Sequence, residues 1–277
     1  MPPFTLAADS DPSPVGVLVT PSGDCTPQLM TIQAWAGEHG LEVVELGTSA
    51  EPNGAAPGCR LLVALGGDGT ILRALQLAEG QAAVLGVNFG HVGFLADVRG
   101  EDLGDALERI GRGEAHVEER TALVATLGAD PRRRLLAFND VVISRVRGFG
   151  TARIRVDVDG ERLLELVGDG VVIASPTGST AYTVGAGGPA VSPSLDAIVV
   201  TPVATQGSPL RSLVVDGREP VRVEVAPSSA PLGVEIDGRT VEDMPASGAL
   251  EVCAAPRKAR LMRTRPRSFY HDLASQV

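Results

Sequence analysis

Residues 61–79 read LLVALGGDGTILRALQLAE, and this stretch decides the fold class. An apolar strand, Leu61–Leu65, runs into Gly66-Gly67-Asp68-Gly69-Thr70 and then into a helix over Gly69–Glu79. The three glycines let the backbone approach a ligand with no Cβ in the way. A strand-to-helix turn aims several N–H groups at one point, and the helix N-terminus adds partial positive charge, so the turn is an anion site. Asp68 sets a carboxylate inside that site. Among phosphates a carboxylate is useful only as a general base or a metal ligand. The pattern is not GxGxxG and has no ribose-binding acid downstream of that kind, which disfavours a dehydrogenase-type site.

On either side of this turn, β-like and helix-like segments alternate. Val15–Thr20, Leu41–Leu46 and Ala83–Asn88 read as strands; Thr26–His39, ended by Gly40, and Glu101–Ile110 read as helices. That order predicts βαβ units and a parallel sheet. The texture changes near Glu118. From there to Pro256, short β-like runs such as Ala152–Val158, Val171–Ala174, Ala197–Val203 and Val221–Val225 predominate. Asp-Gly recurs at 159–160, 169–170, 216–217 and 237–238 and predicts tight turns between β runs. We therefore expect an α/β domain over 1–118, to which 256–277 returns, and a β-rich, sandwich-like domain over 119–255. The arginine-rich 257–267 region is expected to be a solvated tail or a helix packed back on the first domain, in preference to a polyanion contact.

The chain has 277 residues, 44% apolar and 21% charged, which excludes wholesale disorder. Aromatics at 3% make base stacking an unlikely recognition mode, and a net charge of −10 gives no overall field for nucleic acid or anionic lipid. Lys258 is the sole lysine among 24 basic residues, which excludes a Walker lysine. Phosphate must then be met by backbone N–H groups, arginine or a metal. Cys25, Cys59 and Cys253 are unpatterned, which argues for a reducing compartment and against a zinc site or disulfide framework. Residues 1–14 do not read as a signal peptide, and no apolar run has membrane-spanning length, so the expectation is cytoplasmic.

Three further stretches carry chemistry. Residues 168–188 read GDGVVIASPTGSTAYTVGAGG, dense in hydroxyls and glycines after a strand, which suits a sugar, base or phosphate, or a structural turn. Phe138-Asn139-Asp140 precedes a strand; its amide and carboxylate match a base edge and a ribose diol, although on these residues alone a turn explains it better. Residues 85–97, LGVNFGHVGFLAD, follow a strand where α/β folds place ligand loops, with His91 read as structural.

Together, GGDGT at 66–70, GVNFGHVGFL at 86–95, FNDVV at 138–142, DGVVIASPTGSTAYTVGAGGP at 169–189 and PSLDAIVVTP at 193–202 resemble the ATP- or polyphosphate-dependent NAD kinases. The likeness runs over residues 60–240. GGDGT alone is shared with lipid kinases and GGDG with phosphofructokinases, and 169–189 separates this chain from both. The resemblance implies a Rossmann-like, phosphofructokinase-like α/β domain followed by a β-sandwich-like domain. It implies that Asp68 takes the proton of the 2′-hydroxyl of the adenosine ribose of NAD, whose oxygen attacks the terminal phosphate of ATP or polyphosphate. Gly67, Gly69 and Thr70 would cradle phosphate, and Arg73 would neutralise it. Asn139, Asp140, Asp169 and the run Thr180, Ala181, Tyr182, Thr183, Val184 and Gly185 would hold NAD, with Phe94 lining the pocket. A divalent ion, Mg²⁺ by chemistry, would bridge donor phosphates with no protein metal site assigned. A homodimer or homotetramer is implied, and neither nucleic acid nor membrane is an expected partner.

The chain departs from the family pattern in places. Asp140 stands for the usual Glu, one methylene longer, and Gly185 for a frequent Ser. Ala204-Thr205-Gln206-Gly207-Ser208 replaces a histidine-bearing stretch, leaving Ala204 on that wall, and Arg239 replaces a common Gln. The competing readings are a GGDGT-type lipid kinase, which needs an apolar groove or basic surface, and a non-catalytic nucleotide-binding regulator, which has no need of Asp68.

Overall fold

The computed structural model describes residues 7–8, 11–50, 58–90, 93–128, 133–146, 150–206, 210–244 and 248–275. The chain divides into two compact units, residues 1–120 with 259–277 and residues 121–258.

The first unit opens with a short ribbon, β1 (Ala7–Ala8) and β2 (Asp11–Pro12). There follow β3 (Val15–Val19), α1 (Thr26–Glu38), β4 (Val43–Thr48), β5 (Leu61–Leu65), α2 (Asp68–Ala78), β6 (Ala83–Asn88), β7 (Val98–Arg99), α3 (Leu103–Gly111) and β8 (His116–Arg120). Strands β4, β3, β5 and β6 lie side by side and parallel, with β7 added to β6. All five residues of β5 are buried, as a central parallel strand covered on both faces requires. Helices α1 and α3 share one face, where Ile32, Trp35, Leu103, Leu107 and Ile110 meet Val15, Val63 and Leu85. In α3 the buried residues Leu103, Ala106, Leu107 and Ile110 form one helical stripe. Helix α2 takes the opposite face: the next residue after Leu85 is Gly86, and a Cβ there would press on Ile71.

The second unit is two six-stranded antiparallel sheets. Its strands are β9 (Leu123–Leu127), β10 (Arg134–Ala137), β11 (Asp140–Arg145), β12 (Ala152–Val158), β13 (Glu161–Gly168) and β14 (Gly170–Ala174). After the short helix α4 (Tyr182–Gly185) come β15 (Ala197–Val203), β16 (Leu213–Asp216), β17 (Val221–Val225), β18 (Leu232–Ile236), β19 (Arg239–Met244) and β20 (Ala249–Ala254). One sheet runs β10-β9-β20-β17-β12-β13, the other β16-β15-β14-β11-β18-β19. Alternate residues of both sheets, among them Ile154, Val223 and Val252 from one and Val141, Ile173 and Val234 from the other, form one aliphatic core. The outer face of the second sheet buries Val142, Val172, Ala174 and Val199 with Val191.

Only two of the four Asp-Gly pairs make hairpins. Asp159-Gly160 and Asp237-Gly238 both take positive φ at each position, the type I′ geometry, and join β12 to β13 and β18 to β19. Asp169-Gly170 and Asp216-Gly217 instead carry the chain from one sheet to the other. At Gly170 no side chain fits, because a Cβ would overlap the Ile143 carbonyl.

The chain returns to the first unit as β21 (Ala259–Arg263) and α5 (Phe269–Ala274). Strand β21 lies between β6, to which it is parallel, and β8, to which it is antiparallel. Arg260 and Arg263 thus lie on a strand of the sheet, where a solvated tail or a helix packed back on the first domain was expected. Arg263 is 1% exposed; its Nε donates to Glu118 Oε2 at 2.6 Å and its Nη1 to the Leu95 carbonyl at 3.0 Å. Burial pushes the Glu118 carboxyl up, but Arg263 and Arg120 prevail and hold it at about 2. The arginine run is thus partly a set of internal ion pairs, desolvated together because each charge has its partner.

Candidate active site

In the first unit the site is built at the carboxyl end of β5. Gly66 donates its N–H to the Val87 carbonyl and lies so close to Thr70 that a Cβ would overlap that side chain. Gly67 and Gly69 are exposed and face open space. Thr70, expected at the phosphate, is turned inward: it is 5% exposed and its N–H donates to the Gly67 carbonyl. The outward part of the turn is therefore Gly67-Asp68-Gly69. Arg73, one turn into α2, donates to Gln76 Oε1 at 2.8 Å.

Asp68 is the first residue of α2 but does not cap it; Gly67 occupies the N-cap. Its side chain turns to the segment 93–96. A Cβ on Gly93 would overlap both carboxylate oxygens, so glycine at 93 makes room for the acid. Burial raises the carboxyl above its ordinary range, while the N–H groups of Leu95, Phe94 and Ala96 and the charge of Arg267 pull it down; burial prevails. Asp68 Oδ1 is buried with no partner among the described residues. A desolvated carboxylate with one oxygen uncommitted is a strong proton acceptor. Phe94 packs against Phe269 of α5, the ring centroids 6.2 Å apart and the planes tilted by 41°. His91 lies outside the described residues.

In the second unit, a cavity of about 260 Å³ opens on the outer face of the second sheet, lined by Asn139, Asp140, Ser144, Tyr182, Glu235 and Asp237 among others. The period-two pattern of β11 places Asp140, Val142 and Ser144 on that face. Asp237 clamps the entry to β11: its carboxylate accepts the N–H of Asn139 at 2.7 Å and of Phe138 at 3.0 Å, and its own N–H donates to the Asp140 carbonyl. From the other side, Ser175 Oγ donates to the Phe138 carbonyl at 2.6 Å, and a Cβ on Gly178 would overlap the Asn139 carbonyl. Asp140 is 5% exposed; burial first, then the charges of Asp237 and Glu235, push its carboxyl up to about 7.

The remaining expected residues are placed unevenly. Ala181 and Tyr182 line the cavity, with Tyr182 49% exposed. Val184 and Gly185 are exposed on α4, whereas Thr183 is fully buried. Thr180 Oγ1 donates to the Thr177 carbonyl. Asp169 lies past the Ser144 end of β11, ion-paired to Arg145 at 2.6 Å. Ala204 follows β15 in the left-handed region, and Arg239 opens β19 on the surface. Five lining residues were not among the expected ones: Val142, Ser144, Glu235, Asp237 and Gly238. Asp237 is visible in the sequence as a turn residue beside Arg239, and Glu235 carries no signal of its own there.

The first unit thus sets a glycine turn and a carboxylate at the end of a parallel strand, and the second sets an acidic cavity on its second sheet. Residues 42–115 match the ATP-NAD kinase N-terminal domain and residues 138–264 the ATP-NAD kinase C-terminal domain. The chain belongs to the NAD kinase family. It is 31% identical to the NAD kinase of Desulforamulus reducens over 95% of this chain and 96% of that protein, and 38% identical to that of Heliobacterium modesticaldum over 78% of each. The fold is that of yeast NADH kinase solved with NADH (TM-score 0.78, 22% identity, 95% of this chain and 87% of that one). It is also that of the Archaeoglobus fulgidus NAD kinase solved with ATP (TM-score 0.76, 22% identity, 94% and 99%).

Proposed function

We propose that this chain transfers the terminal phosphoryl group of ATP to the 2′-hydroxyl of the adenosine ribose of NAD, giving NADP and ADP. Asp68 carries the reading: a half-buried carboxylate whose raised basicity and buried, uncommitted Oδ1 suit it to take a hydroxyl proton. As the proton moves to Asp68, the ribose oxygen bonds to the γ-phosphorus. The bond from that phosphorus to the bridging oxygen breaks, and ADP leaves with the electron pair. Charge on the transferring group is met by the N–H groups of the Gly67–Gly69 turn and by Arg73. The adenosine of NAD is assigned to the cavity at Asn139, Asp140, Ala181 and Tyr182. Asp169, Thr180, Thr183–Gly185, Ala204, Arg239 and Phe94 are assigned to NAD on the resemblance alone.

Mg²⁺ enters as part of the nucleotide substrate. The ion's ligands are assigned to the donor phosphates and water, on the chemistry of phosphoryl transfer. Among the described residues no helix is long and apolar enough to cross a membrane. A cytoplasmic homodimer or homotetramer is part of the proposal. The test is incubation of the purified protein with NAD, Mg²⁺ and ATP or polyphosphate, with NADP read by a coupled dehydrogenase. NADP with ATP is the expected result. No NADP with either donor, alongside calorimetric binding of NAD, would replace this reading by a non-catalytic regulator; absence of binding as well would turn attention to lipid substrates.

A further inference from the structure

The three N–H groups that face Asp68 belong to a segment, 94–96, with no regular secondary structure of its own. Its carbonyls are held from the far end of the chain. Arg267 Nη2 donates to the Gly93 carbonyl at 2.6 Å, and its Nη1 to that of Ala96. Arg263 Nη1 donates to the Leu95 carbonyl. The next residue, Asp97, accepts from both Thr264 N–H and Thr264 Oγ1, at 2.9 and 2.7 Å. Arg267 is itself fixed by Asp272 of α5, 2.6 Å from its Nε, and its side chain is 18% exposed. The peptide groups 93–94 and 95–96 therefore each have a guanidinium on the oxygen and the Asp68 carboxylate facing the hydrogen. A peptide so polarised donates a stronger hydrogen bond.

We propose that Arg267 is a positioning residue for the base: by bridging the carbonyls of Gly93 and Ala96 it holds the amides that hold Asp68. The proposal rests on Asp68 being the proton acceptor. Its electrostatic side is simple, because among the described residues the charged groups around Asp68 are few. On its own helix the nearest is Arg73, engaged with Gln76; on the loop, Asp97 is held by Thr264 and faces Arg263 at 3.7 Å; on the return segment stand Arg267 and its partner Asp272. Of these, Arg267 acts on the Asp68 carboxyl, lowering its affinity for a proton.

The experiment compares Arg267→Met, Arg267→Lys and Asp68→Asn as full-length proteins, reading kcat against pH, KM for NAD and Tm. In Arg267→Met, kcat falls at least about tenfold, since misplacing a catalytic group by 1 Å costs up to ~10²-fold. Its KM for NAD stays within about threefold, as expected when an interaction is lost from the transition state and not from substrate binding. The acidic limb of its kcat profile moves to higher pH, because the cation that favoured the ionised base is gone. Arg267→Lys, which keeps the charge but not the two-pronged grip, returns the limb to its wild-type position with an intermediate kcat. Wild-type kcat and limb in Arg267→Met overturn the proposal, as does a kcat loss in which the limb stays put. If Arg267→Met does not fold, Arg267→Lys decides: lowered kcat at wild-type Tm supports the role, and wild-type kcat overturns it. Asp68→Asn separates the two levels: wild-type turnover there removes the base itself, whereas an inactive Asp68→Asn beside an unaffected Arg267→Met removes only the positioning role.

Discussion

Asp68 in the first unit, half-buried with its Oδ1 out of reach of solvent, and Asp140 in the second, buried, both have carboxyls pushed above their ordinary range, yet their surroundings have opposite sign. Asp68 is met by three amide N–H groups and the guanidinium of Arg267, all of which favour the ion. Asp140 is met by the carboxylates of Asp237 and Glu235, which favour the proton. The first is kept ready to accept a proton; the second holds one until about pH 7. Burial alone thus does not define a base. The company it keeps decides whether a buried acid serves chemistry or becomes a pH-dependent load on the fold.

The comparison breaks first at Asp68→Asn, which is expected to lose at least ~10²-fold in kcat while the protein keeps its Tm. Near-wild-type turnover would leave the two acids indistinguishable. Next comes Asp140→Asn. The unfolded carboxyl titrates near ~4 and the folded one at about 7, so the folded state binds more protons between these values and stability falls as pH rises through that window. Removing the charge is expected to stabilise the protein above pH 7 by up to about 4 kcal/mol and to do little below pH 4. Urea unfolding at pH 5 and pH 8 would show it, and a pH-independent change would contradict it. Gly93→Ala, which places a methyl group on the Asp68 carboxylate, is expected to cost about 1–3 kcal/mol in stability and to lower kcat with it. The smallest effect belongs to Asp169→Asn. Its side chain is 47% exposed and its pair with Arg145 is half in water, so thermal unfolding should register less than about 1 kcal/mol.

The fold class was legible because its signals are local. The apolar run Leu61–Leu65 before three glycines can hardly be anything but a buried strand entering a turn, and Asp68 stands out inside it. What stayed hidden depends on distant partners. Arg263 reads as a surface charge until Glu118 and the Leu95 carbonyl, 145 and 168 residues away in sequence, are seen around it. Arg267 was hidden for the same reason. The four Asp-Gly pairs are identical dipeptides, and whether each closes a hairpin or moves the chain between sheets is set by which sheet the next strand joins. Glu235 and Ser144 sit where alternation predicts solvent, and only the packing of 175–191 over that face turns solvent into cavity.

The placement of β21 between β6 and β8 bears on how this protein is made. On the ribosome, residues 121–258 emerge as one contiguous stretch and have every strand of their sandwich before the last segment appears. The parallel sheet that was begun first is completed last, because its missing strand and the arginine that grips the Asp68 loop are synthesised after residue 258. A ribosome stalled or a message cut shortly before that point would release a protein with an intact sandwich and no ordered base. Such fragments would have the cavity of the second unit without the means to act on what it binds.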